Sequence, residues 1–342
     1  MNENIVKKKR RNVYIDLFRY VLSFLVICIH ISYTVFDFNF LPICRLAVPM
    51  FFVISGYFAF SKDKDRELAK AKTSMKRNLQ YFAIVFVIYF IFYDIVKLLK
   101  GTITLKNYFY KLFNVNMLFD FFFFNKPTFG SQVMWFVLAL FVLSIFHYLI
   151  CKTNKQKLYY VLLPVCLMVY FVMFSQKVDI WYIRNWLFCG LPCFLAGYFA
   201  KAFIETKENK KTLFGILEIV CAIGFLCLGF LEDKIFPSSA YYLSSILSAV
   251  CFLYFFDFLN NLGKNEEACN EGKFNKFFYN WIGDKGAFYI YIIHVFFDIY
   301  LSEVLPINFG LNVLVFVLSF AVYEMFFLAV KFTKHLIKKK SK

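Results

Sequence analysis

Arg19 and His30 stand eleven residues apart in the first apolar stretch of the sequence, RNVYIDLFRYVLSFLVICIH. At about 100° per residue this spacing is three turns plus roughly 20°, so on a helix both point the same way, about 16 Å apart along the axis. Asp16, three residues before Arg19, and Ser23, four after it, join that face. Ionisable groups in the middle of a bilayer cost about 2.5–3.5 kcal/mol each even on the gentlest scale, so they normally face a cavity or a partner and mark function. The chemistry available to such a stripe is proton transfer beside a fixed cation. An imidazole titrating near pH ~6.5 can take a proton from a weak nucleophile, and a guanidinium can hold an anionic group. Asp16 is expected to pair with Arg19 at i, i+3 and orient it.

Further candidates lie downstream. Arg45 opens the second apolar stretch and Ser55 follows ten residues on; either can donate to a developing oxyanion. Lys76 and Arg77 close a basic run, SKDKDRELAKAKTSMKRNL, that suits either anionic lipid or a phosphorylated cytoplasmic substrate. His294 stands in an apolar segment, where it serves either a site or an interhelical hydrogen bond. Trp135 serves either a site wall or the membrane interface, where tryptophan is common.

The elements that must hold these residues are transmembrane helices. Of 342 residues, 61% are hydrophobic and 23% aromatic, which excludes a soluble globular chain and gives the class as an all-α polytopic membrane bundle. The net charge of +17 does not point to nucleic acid, because the basic residues sit in short runs between apolar segments. The apolar runs give ten spans, roughly 13–35, 42–60, 80–99, 132–151, 158–175, 186–204, 212–231, 238–259, 286–303 and 308–330. The first is too long for a signal-peptide core and is kept as a mature helix. Lys and Arg are concentrated in alternate connections and both tails, so both termini are expected on the cytoplasmic side.

Residues 61–79 lack Pro and Gly and are expected to form a helix on the membrane surface. The aromatic connection 101–131 is expected to lie in the outer interface or to fold over the outer mouth as a lid. No repeat or separate soluble domain is visible, so residues 1–342 read as one membrane domain. Eight of the ten cysteines, Cys28, Cys44, Cys166, Cys189, Cys193, Cys221, Cys227 and Cys251, fall inside apolar segments without zinc-like spacing to histidine, and they read as small buried hydrophobes with no metal. His147 and His335 read as solvated cytoplasmic residues, and Glu324 as an isolated intramembrane acid.

RNVYIDLFRYVLSFLVICIH followed by RLAVPMFFVISGYF resembles the paired signature of the large membrane acyltransferase family, type three, that acylates cell-surface sugars. The matching residues are Asp16, Arg19 and His30, then Arg45, Val48, Pro49, Phe51, Phe52, Ser55 and Gly56. MWFVLALFV around Trp135 and WIGDKGAFYIYIIHVFF, with Gly283, Tyr291 and His294, extend the resemblance over nearly the whole chain. The sequence departs from the family where Gln80 replaces a second arginine of the basic loop and where Val133 and Met134 precede the tryptophan.

The resemblance implies a membrane O-acyltransferase with His30 as base. Its donor would be cytoplasmic acyl-CoA, most simply acetyl-CoA, taken as co-substrate with no bound cofactor. The phosphates would lie at Arg19, Lys76 and Arg77, and Arg45 or Ser55 would serve the oxyanion. Trp135, Tyr291 and His294 would form the site wall. The acceptor would be a glycan or lipid-linked saccharide at a bacterial plasma membrane. The alternative within the family is a transporter or exporter of polysaccharide intermediates, whose water-filled bundle would also hold ionisable groups.

Overall fold

The first helix is fixed at its start by its own sequence. Asn12 accepts from the amides of Tyr14 and Ile15 at 3.1 and 3.3 Å, and its Nδ2 donates to Phe256 O at 3.1 Å. This N-cap satisfies two of the orphan amides and ties the helix start to a distant segment. The computed structural model describes residues 12–35, 38–89, 95–126, 133–176, 178–206, 212–237, 241–265 and 285–340. Helix α1, Val13–His30, stops five residues short of the expected end. Beyond it Ser32 Oγ bonds the Thr34 amide at 3.4 Å, a local alternative to helical pairing. A small antiparallel hairpin then pairs β1, Thr34–Val35, with β2, Phe38–Asn39.

The second span is broken. Helix α2, Leu41–Cys44, is followed after a two-residue turn by α3, Ala47–Ala59. Pro49 has no amide to give to the carbonyl four residues back, so helical pairing lapses at Arg45.

Helix α4, Lys64–Tyr89, corrects the expected organisation. The surface helix and the first half of the third span are one continuous helix. Hydropathy changes near residue 80, but no Pro or Gly interrupts the backbone there. The rest of the expected span is α5, Ile95–Leu99. In the aromatic connection, α6, Leu105–Phe113, leads to α7, Val115–Phe124. The remaining helices are α8, Met134–Lys152; α9, Tyr159–Ser175; α10, Ile180–Ile183; α11, Leu191–Thr206; α12, Thr212–Ile235; α13, Leu243–Asn265; α14, Gly286–Leu301; and α15, Phe309–Lys340. A single π turn, Trp186–Gly190, leads into α11.

Among the described residues, eight helical segments are long and apolar enough to cross a membrane. The other two expected spans fall on the apolar half of α4 and on α14, whose 16 residues reach only about 24 Å. α1 is the central post, touching α2, α3, α13, α14 and α15. The spans in α9, α12 and α15 have only 17% of their residues buried, so they form the perimeter, where apolar side chains meet lipid.

A tight seam joins α3 to α11. A Cβ on Gly56 would lie 1.8 Å from Phe194 O, and one on Gly197 would lie 1.9 Å from Val53 O. Reciprocal glycines allow two backbones to approach this closely, as at other small-residue helix contacts in membranes. Gly56→Ala or Gly197→Ala is therefore expected to force the helices apart at a cost of about 1–3 kcal/mol. A lowered melting midpoint in detergent checks this; an unchanged midpoint for both variants refutes the seam.

Candidate active site

His30 ends α1 with part of its surface accessible, and its ring lies 5.5 Å from that of His294, centroid to centroid, at a 37° tilt. His294 is fully buried on α14, with Nδ1 3.3 Å from Ile290 O. A carbonyl only accepts, so Nδ1 carries the hydrogen and Nε2 presents a lone pair. Nε2 has no hydrogen-bond partner among the described residues.

The register that brings the two rings together is set lower down. Ser23 Oγ lies 2.8 Å from Ala287 O, and Gly286 lies so close to Tyr20 that a Cβ there would meet its hydroxyl at 2.1 Å. The stripe on α1 and the start of α14 are thus locked face to face.

Two guanidinium groups lie near His30. Arg45, at the break between α2 and α3, and Arg184, between α10 and the π turn, both lie close enough to His30 for their charges to be felt there. Arg45 is buried and bonds Tyr242, whose hydroxyl donates to Asp233 Oδ1 at 2.5 Å. Arg184 is half-buried; burial, and then the positive charge of Arg45, bring its guanidinium down to about 10. Local sequence explains its placement. Asn185 caps the π turn through the amides of Leu187 and Phe188, both at 2.9 Å. Asn125, in the left-handed region at φ 55°, accepts from the Trp186 amide at 2.8 Å. Lys126 sits 2.9 Å from Asp120 and 4.0 Å above the Tyr182 ring, so the end of α7 is tied to α10.

Tyr291 donates to Val133 O at 3.0 Å, and its ring meets those of Phe136 at 5.2 Å and His294 at 5.9 Å. Trp135 is buried one layer out, 6.4 Å from Phe52 and 6.2 Å from Phe136. Tyr291 thus belongs to the wall of the histidine pair, while Trp135 backs that wall.

Other sequence candidates lie elsewhere. Arg19 pairs with Asp16 at 2.7 Å and lies 5.4 Å from the centroid of the Phe58 ring. Long helical side chains lean toward the helix start, which carries this guanidinium away from His30. Ser55 Oγ donates to Phe51 O of its own helix at 2.9 Å, a back-bond that engages its only hydroxyl hydrogen. Lys76 and Arg77 are exposed on α4. Gly283 lies outside the described residues, as does the side chain of His335. Glu324 Oε1 has no hydrogen-bond partner among the described residues.

Two features escaped the sequence reading. Arg184 gave only a weak signal, a cation in the otherwise apolar run IWYIRNWLF. His147 corrects an expectation: it is 2% exposed rather than solvated, with Nδ1 2.8 Å from the Tyr159 hydroxyl. Its apolar neighbours on α8 carry it into the core, where a tyrosine replaces water.

A bundle of apolar helices of this kind, with paired imidazoles and nearby guanidiniums inside it, is a multi-pass membrane protein. The chain belongs to the acyltransferase family whose type-three acyltransferase domain matches residues 12–327. No curated protein and no solved structure matches the chain.

Accessibility distinguishes the histidines. Diethyl pyrocarbonate applied to the folded protein in detergent is expected to modify His30 and to spare His147 and His294. Mass spectrometry reads the modified peptides, and equal modification of all three contradicts the burial described.

Proposed function

We propose that this acyltransferase is an O-acyltransferase of a bacterial plasma membrane, moving an acetyl group from cytoplasmic acetyl-CoA to a hydroxyl of a cell-surface or lipid-linked glycan. The observation that supports this most is the histidine pair, one ring accessible and the other buried with an unshared nitrogen, 5.5 Å apart. A sugar hydroxyl is a poor nucleophile at neutral pH, so attack on a thioester needs a base at the hydroxyl.

In this reading His30 takes the hydroxyl proton as the oxygen attacks the acyl carbon. Negative charge grows on the thioester oxygen, and Arg45 and Arg184 are the cations near enough to His30 to stabilise it. The carbon–sulfur bond then breaks, and the CoA thiolate receives the proton from the imidazolium. The products are an ester and CoA thiol. His294 acts as a positioning residue, its Nε2 sharing a proton or a water with His30. Arg19, held by Asp16, and the exposed Lys76 and Arg77 are assigned to the phosphates of CoA. Ser55, with its hydrogen engaged by Phe51, is given a place in the wall rather than at the oxyanion.

Purified protein in lipid with radiolabelled acetyl-CoA and a hydroxyl-bearing glycan tests this. Native protein is expected to release CoA and label the glycan. His30→Ala is expected to lose about 10²–10⁴-fold, the usual worth of a general base. His294→Ala should lower the rate less and alter its pH profile. Undiminished glycan labelling by His30→Ala removes it as base. Absence of CoA release with every acceptor tried shifts the reading to export of a glycan intermediate.

A further inference from the structure

Away from the paired histidines, three metal-ligating side chains meet in a buried cluster. Glu67 of α4 and His147 and Cys151 of α8 are 2%, 2% and 3% exposed. Their ligand atoms all lie within 4.8 Å of one another. Cys151 Sγ is 3.7 Å from His147 Nε2 and 3.8 Å from Nδ1. Donors on a tetrahedral zinc, at about 2.3 Å for sulfur and about 2.0–2.1 Å for nitrogen, stand about 3.5 Å apart, so sulfur and nitrogen are already near that separation. A turn of the imidazole about its own bond to aim Nε2 at the shared point is the main adjustment required.

The surroundings also fit an ion. His147 and Cys151 are four apart on one helix, so they chelate from a single face, and Glu67 comes from a different helix across the seam. His147 Nδ1 is engaged by the Tyr159 hydroxyl at 2.8 Å, the arrangement in which a ligating histidine is oriented through its other nitrogen. Glu67 Oε1 accepts from the Tyr198 hydroxyl at 2.7 Å, while Oε2 has only a long contact of 3.4 Å from Gln156. A carboxylate has about four acceptor positions, so Oε2 has room for a cation. A thiolate and a carboxylate cancel a divalent charge, which makes the occupied site neutral and suited to burial. Among the groups near it, Lys70 is a cation felt by His147, and Tyr159 and Tyr198 are neutral hydroxyls.

We propose that Glu67, His147 and Cys151 bind a divalent zinc ion that clamps the cytoplasmic half of α4 to α8. Binding displaces one proton from the Cys151 thiol and, where Glu67 is protonated, one from its carboxyl; both go to solvent, and nothing is oxidised or reduced. Both ligands must give up their protons to bind, so zinc affinity falls as pH falls. The clamped helix is the one that carries Lys76 and Arg77, which makes the ion a structural support and not part of acyl transfer.

Full-length protein purified without chelator is expected to hold one zinc per chain by elemental analysis. Protein from cells grown with cobalt is expected to show a thiolate-to-cobalt absorption band. Cys151→Ala should abolish that band, and Tyr159→Phe should weaken cobalt retention about 10–100-fold, the usual cost of losing the partner that orients a ligand. Chelator should lower the melting midpoint of native protein. Native protein that folds with neither metal nor band, and melts alike with zinc and chelator, overturns the proposal and leaves a hydrogen-bonded cluster. A band that survives in folded Cys151→Ala overturns it as well.

Discussion

Hydrocarbon offers no hydrogen bonds, so each polar group on a central helix must find its partner inside the protein. α1 meets that demand at nearly every step. Asn12 reaches Phe256 O, Asp16 holds Arg19, and Ser23 reaches the start of α14. These contacts fix the depth and rotation of α1 against its neighbours. Among the described residues, His294 Nε2, like Asn312 Oδ1, Ser319 Oγ and Glu324 Oε1, is buried without a hydrogen-bond partner. A buried polar atom without a partner costs about 1–3 kcal/mol, and an apolar side chain at that position would avoid the cost. His294 Nε2 differs from the others in lying next to the imidazole of His30, which is the pattern expected of a group that meets substrate, water or a proton.

The two arginines near His30 share a second feature. Each sits where the backbone leaves the α-helical path: Arg45 at the break between α2 and α3, Arg184 just before the π turn. Irregular backbone within a membrane domain is tolerated where protein or water satisfies it, and π turns recur at functional sites. Here the irregularities turn two cations inward that regular helices would have placed elsewhere. Asn185, Asn125 and the ties between α7 and α10 hold that backbone in place, so the aromatic connection contributes to the site indirectly, as scaffold for Arg184.

How much of this was legible follows from where each signal resides. The helical membrane class lies in local composition, and eight of the expected spans fall on helices long and apolar enough to cross a membrane. The α1 stripe lies in intrahelical spacing, so Arg19, Ser23 and His30 could be grouped without a structure. The fusion of surface helix and third span in α4 was hidden because hydropathy changes where backbone propensity does not. The meeting of His30 with His294 depends on the register of two helices far apart in the chain, set by Ser23 against Ala287 and by Gly286 beneath Tyr20. No spacing encodes that register. His147 was misread for a related reason: its partners Tyr159, Glu67 and Tyr198 come from other elements, and a histidine near a helix end looks solvated until they are seen.

The geometry of α1 also constrains how binding and chemistry divide. Along the axis Arg19 lies about 16 Å and Asp16 about 21 Å from His30, too far for a single small group to bridge. An ion held at Arg19 therefore takes no direct part in a reaction at the imidazoles. In the acyl-transfer reading, a long donor spans that interval, and interactions at its phosphate end hold its reactive end in place. Binding energy from remote parts of a substrate raises the rate when it is spent on orientation at the reacting centre. The rigid post formed by α1 makes that possible, because a flexible connection between the two ends would lose the orientation that the remote cation provides.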